Sequence, residues 1–187
     1  MDERQRSAER RVDAFVAAVN ASGRERMASQ EVPVACRASP LDEDGMCEWR
    51  IVPGSAGEWL PALETRLPFQ LPPTFRALVS RYWFPSFTCG PLWLYSVGLA
   101  DDSGELRVAM LRDRPMLGVL WKAGFLPFAR PEDGSYDPVC FDFRDVPGGR
   151  EPAVVRVDHE EALIREQVRV VRTLSASFDV LVEELTG

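Results

Sequence analysis

The chain has 187 residues, 45% of them hydrophobic, with a formal net charge of −7. That length suits one domain with a sizeable core, or one domain with a short appendage. No stretch approaches the roughly 20 apolar residues that cross a bilayer, and the charged N-terminus (MDERQRSAERR) lacks an apolar secretory core, so the expectation is a soluble cytoplasmic protein that does not engage a membrane. The charge is uneven: residues 131–187 hold 13 acidic and 6 basic side chains, whereas residues 1–130 hold 16 of each. Such a C-terminal third repels nucleic acid and attracts basic partners, or simply keeps the protein in solution.

Residues 2–19 read as a helix. Ala8, Val12, Phe15, Val16 and Val19 fall on one face, the rest is mostly charged, and Asn20, Ser22 and Gly23 end the run. A helix of this kind packs on its own domain, pairs with a partner or caps a dimer. Residues 32–70 are rich in Pro and Gly; 48–52 suggest a short strand, and Trp59, Leu60 and Leu63 one helical turn. Pro72 and Pro73 open a second helix, because proline's missing N–H has no partner in a first turn. Phe75, Leu78, Val79 and Tyr82 form its buried stripe, and Pro85 ends it.

Residues 92–97 (LWLYSV) are aromatic and β-prone, followed by a turn at 101–104. Residues 105–111 fit either a strand or a helix. Asp113 is placed to cap a short helix from Arg114 that stops at Gly124. Two strand-like runs follow, 125–129 and 139–143, joined by the acidic turn Glu132, Asp133 and Gly134. Residues 153–157 read as a β-branched strand, and 167–172 as a strand or a helical approach. A last helix starts near Ser175 or Ser177 and buries Phe178, Leu181, Val182 and Leu185.

This order resembles the SUKH superfamily, the fold of the Smi/Knr cell-wall regulators of yeast and of many bacterial immunity proteins. The resemblance spans about residues 67–186 and rests on the helix LPPTFRALVSRYWF, on LPFA at 126–129, on the Gly134 turn, on CFDF at 140–143 and on the tail SFDVLVEEL. Residues 1–66 add an N-terminal helix and an irregular extension. The family turn usually carries more glycine than PEDGSYDP does. The resemblance implies an α+β fold: one domain over 1–187, a largely antiparallel sheet with packed helices. It also implies binding rather than catalysis, and no cofactor.

The residues themselves support that direction. Cys36, Cys47, Cys89 and Cys140 form no CxxC pair and the one histidine is His159, which suggests buried free thiols rather than a zinc site. In DHEE, Asp158 could orient His159 as a general base, but Cys140 or Ser135 would have to approach as nucleophile, and no nucleophile elbow is present. A histidine at a strand end, exposed or hydrogen-bonded, is therefore the favoured reading. Asp142 fits an outward side chain between Phe141 and Phe143, or an acceptor of turn N–H groups. Glu132, Asp133 and Asp137 lack the ordered spacing of a calcium loop. Trp59 is the tryptophan expected to be partly exposed. Lys122 is the single lysine against 21 arginines, a ratio that fits high-GC bacterial coding and removes most lysine-based mechanisms.

The resulting expectation is a non-enzymatic, bacterial protein-binding domain, an immunity protein that neutralises a basic toxin such as a nuclease. Its contact residues would be Glu132, Asp133, Asp137, Asp158, Glu160, Glu161 and Trp59. The alternatives are an intracellular regulatory or scaffold domain without a toxin, and a hydrolase built on His159.

Overall fold

The five apolar residues assigned to one face of the first helix do share it. In the computed structural model, which describes residues 3–22, 26–55, 57–97, 104–112, 114–146, 148 and 150–186, α1 (Glu3–Ala21) buries Ala8, Val12, Phe15, Val16 and Val19. There follow β1 (Met27–Ala28), β2 (Met46–Cys47), β3 (Val52–Pro53), α2 (Trp59–Glu64), α3 (Pro73–Arg81), β4 (Tyr82–Trp83), β5 (Phe87–Cys89) and β6 (Leu92–Leu94). The rest comprises α4 (Glu105–Leu111), α5 (Arg114–Lys122), β7 (Phe125–Pro131), β8 (Val139–Asp142), β9 (Ala153–Val157), α6 (His159–Arg165), β10 (Val170–Ser175) and α7 (Phe178–Glu184). The Gly23 helix stop, the turn at 101–103 and the Asp113 cap lie outside the described residues.

Strands β5 to β10 make a six-stranded sheet in the order β10-β9-β8-β7-β6-β5, and every pairing in it is antiparallel. The fold is therefore α+β with an N-terminal helix, as expected. Because successive side chains point to opposite faces of a strand, β7 to β9 feed two cores. Leu126, Phe128, Val139, Phe141 and Val154 join the larger one, together with residues of α1, α3 and α7. Phe125, Cys140, Val155 and Val157 join a smaller one with Leu120 of α5.

Four phenylalanines mark the centre of the larger core. Phe128 and Phe141 stack with ring centroids 3.9 Å apart and planes at 9°. Phe75 of α3 meets them edge-on at 5.1 and 5.2 Å. Phe178 of α7 meets Phe75 at 5.2 Å and Phe128 at 5.7 Å. Offset and edge-to-face ring pairs contribute about 0.5–1.5 kcal/mol each beyond burial of their area. Helix α1 then lies across α3 and α7, its apolar stripe inside the same core. At its end the Asn20 side chain donates to the Ile51 carbonyl at 2.9 Å and accepts from the Ile51 N–H at 2.8 Å. The described residues up to 66 thus enter the main core without adding a strand to the six-stranded sheet.

Several local expectations shift. The strand expected at 48–52 is divided: β1 pairs with β2, β3 pairs with β4, and Trp49 makes a single bridge to Arg37. The Asp42 side chain accepts the N–H groups of Asp44 and Met46, so the chain turns early and pairs at Met46. Tyr82 leaves the helix to pair with Pro53. The run 92–97 pairs as a strand only to Leu94, with Val97 bridging Phe84. Residues 105–111 form a helix that buries Leu106, Met110 and Leu111. The ambiguous run at 167–172 becomes β10, displaced toward Ser175. Gly124 ends α5 at φ +89, where an added Cβ would lie 2.9 Å from Arg144, so a side chain there meets both strain and a clash. Helix α3 begins at prolines with no side-chain cap of its own; Glu151 supplies one from 77 residues away, accepting the Thr74 N–H at 2.6 Å, with its carboxyl pushed up by burial.

If the phenylalanine cluster carries the core, Phe141→Ala loses about 3–5 kcal/mol. Phe143→Ala, at a half-buried ring stacked on Phe69, loses clearly less. Urea unfolding of the two variants beside the parent measures both.

Candidate functional site

The acidic residues singled out in the sequence converge, because the β7–β8 turn and the start of α6 lie at the same end of the sheet. Val139 pairs with Arg156 across β8 and β9, which brings the loop at 132–138 beside the residues that follow β9. Asp137 is the hub. It is 8% exposed and accepts from Arg156 Nε at 2.7 Å, from the His159 backbone N–H at 3.0 Å and from His159 Nδ1 at 2.8 Å. Burial alone would raise its carboxyl, but the bonds from His159 and Arg156 outweigh it and hold Asp137 below the ordinary aspartate value.

Arg156 also reaches Asp133, Nη1 to Oδ2, at 2.7 Å. The Asp133 carboxyl, which accepts the Ser135 N–H as well, is likewise lowered. Asp158 is paired with Arg169, accepts the Glu161 N–H at 3.0 Å and is lowered by both. Glu161 pairs with Arg165 at 2.9 Å. Glu132 and Glu160 are exposed. Trp59, half-buried, packs on the main core from α2.

Two features of this end differ from expectation. His159 does not close a strand; it is the first residue of α6. It is oriented by Asp137, not Asp158, whose carboxylate turns back to cap the helix. The signal was present in DHEE: an acid with a glutamate three residues on, before an apolar run, is the pattern of a capped helix start. Sequence reasoning also passed over Tyr136, 81% exposed, and Leu163 and Ile164, 45% and 76% exposed. The Tyr136 ring lies 6.0 Å from that of His159.

The chemistry weighed for His159 finds little to work with here. Cys140 is fully buried in the smaller core, and burial pushes its thiol far above the ordinary value, so the reactive thiolate is suppressed. The Ser135 hydroxyl accepts the Asp137 N–H at 3.1 Å. All four cysteines are buried and unbridged. Among the described residues no group of three or more His, Cys, Asp or Glu side chains is placed to hold a metal ion. Asp142 accepts from the Arg144 backbone N–H and guanidinium at 3.1 and 2.7 Å, the turn role foreseen for it. Cavities of about 430 and 590 Å³ lie beside Arg11 and Glu151, and beside Met27 and Trp93; His159 lines neither. No helix among the described residues is long and apolar enough to cross a membrane.

Asp137→Asn keeps the shape but removes the charge that holds Arg156 and His159. It should cost about 2 kcal/mol at pH 7, the scale of hydrogen bonds to a charged group. A depressed carboxyl stabilises the fold above the ordinary aspartate range and loses that contribution as pH falls through about 4 and below. Urea unfolding between pH 7 and 3 should therefore show a shallower acid-side loss in the variant than in the parent. Equal slopes would mean the Asp137 charge does not hold this end together.

Searches of curated proteins and of solved structures find no match. A model of the SMI1 / KNR4 family (SUKH-1) matches residues 56–184. That match starts ahead of the stretch 67–186 and takes in α2, all six strands of the main sheet and α7. Covering well over half of the sequence, it shows that the chain belongs to the SMI1 / KNR4 family (SUKH-1).

Proposed function

We propose that this protein is a non-enzymatic binding domain acting as an immunity protein: it covers the working surface of a basic toxin, such as a nuclease, and so neutralises it. The observation that carries the reading is the acidic surplus of residues 131–187, part of which the fold gathers at the Asp137 end of the sheet. Family membership supports a protein partner.

In this reading the proposed contact residues divide the labour. Glu132 and Glu160 are exposed and supply the field a basic partner meets first. Asp133, Asp158 and Glu161 each hold an arginine, so they offer shape and hydrogen-bonding edges more than free charge. Asp137, buried, keeps the frame. Trp59 on α2 offers a separate aromatic contact. The N-terminal helix presents its mostly charged outer side, since its apolar stripe is covered by α3 and α7. The mechanism is occlusion and needs no cofactor: the acidic end steers encounter and the packed fold holds a fixed surface against the toxin.

The test is to look for a toxin gene encoded beside this one, whose absence would favour the regulatory role, and to measure binding to its product with rates followed against salt. Charge-steered association should slow by about ten-fold or more from low to high ionic strength, and Glu132→Gln with Glu160→Gln should slow it further at low salt. Co-expression should protect cells from the toxin. Association indifferent to ionic strength would remove the charged-face mechanism; binding without protection would favour a regulatory role.

A further inference from the structure

Helix α6 buries one residue, Ala162, and turns Leu163 and Ile164 outward at 45% and 76% exposure. Leu163 lies one turn beyond His159, and Ile164 one turn beyond Glu160, so these residues form neighbouring rows on the helix surface. The His159 ring faces Tyr136, itself 81% exposed. The backbone beneath these apolar groups is firmly held. Asp137 binds both the N–H and the ring of His159, Asp158 caps the helix, and Arg156 ties the loop to β9. A rigid platform with large apolar side chains standing in water suits a docking face, because little ordering is needed on binding.

Resting on the binding role above, we propose that Tyr136, Leu163 and Ile164 are the apolar anchors of that interface, and that its occupant is a protein with an apolar recess rimmed by lysine or arginine. Charge selects this occupant. A second copy related by a two-fold axis through the patch would bring together two faces with the same acidic excess, in spite of the exposed Arg165 and Arg169. An anionic membrane surface would be repelled likewise. A basic protein satisfies both parts: its recess takes the anchors, and its rim meets Glu132 and Glu160. Central apolar anchors set the rate of release, while rim charges set the rate of encounter.

A photo-crosslinking residue is placed at position 164 and, for comparison, at position 34, where Val34 is 75% exposed on another element. The full-length protein is produced in its source cells. The captured protein is identified and purified, and its rates are measured with the parent, Ile164→Ser, Tyr136→Ala and Glu160→Gln. All three side chains are exposed, and unchanged urea midpoints verify folding. The proposal expects capture from position 164 and not 34, and a captured protein of basic surface. It also expects release about ten-fold or more faster in Ile164→Ser at low and high salt alike, with Glu160→Gln slowing association at low salt alone. A basic partner captured only from 34, or one indifferent to both Ile164→Ser and Tyr136→Ala, overturns the anchor assignment while leaving the binding function standing. Capture of a second copy overturns the choice of occupant. No partner from either position overturns the function and the anchors together.

Discussion

Four phenylalanine rings hold this molecule in register. Phe75, Phe128, Phe141 and Phe178 come from two helices and two adjacent strands, and each ring touches the other three. Stacked and edge-on rings pack only over narrow ranges of angle and distance. Their geometry therefore fixes how far α3 and α7 sit from the sheet and, through them, where α1 rests. Because β7 and β8 are locked at this point, the turn that joins them leaves the sheet in a defined direction, and the acidic end inherits its position from an apolar constraint.

The charge distribution changes meaning once the fold is known. A run of acids in sequence reads as a free negative face. In three dimensions Arg156 stands between Asp133 and Asp137, and Arg165 and Arg169 answer Glu161 and Asp158. The partly buried Asp137 network is firm, since an ionised carboxylate accepting several bonds in a low-dielectric setting is costly to disturb. The exposed pairs around it contribute little to stability. The outcome is a stiff base with a modest negative field and apolar groups at its outer surface.

What the sequence disclosed follows from pattern length. The helices α1, α3 and α7 were legible because apolar residues recur at helical spacing, and α5 because Asp113 and Gly124 mark its ends. Strands β7 and β9 were legible as apolar or β-branched runs bounded by turns. Strands β4 and β5, two and three residues long, are too short to show an alternation. Helix α6 escaped because a buried face consisting of Ala162 leaves no apolar period to find, and its leucine and isoleucine face water. Arg156 gave no local sign of its role: its partners lie 19 and 23 residues away, and only strand pairing brings them close. The acids at 132–161 were visible as candidates; their internal arginine partners were not.

Placing α1 against α7 has a consequence for biosynthesis. The first helix leaves the ribosome well before the last one exists, and α3 covers only part of its stripe. Val12, Phe15 and their neighbours therefore wait for α7 (Phe178–Glu184) to emerge before their surroundings are complete. The main sheet carries less of this delay, since each strand pairs with the one before it in order of synthesis. Helices α1 and α7 thus act as a latch: closure of α7 onto α1, with Glu183 meeting Arg11, waits until every residue between them has been translated.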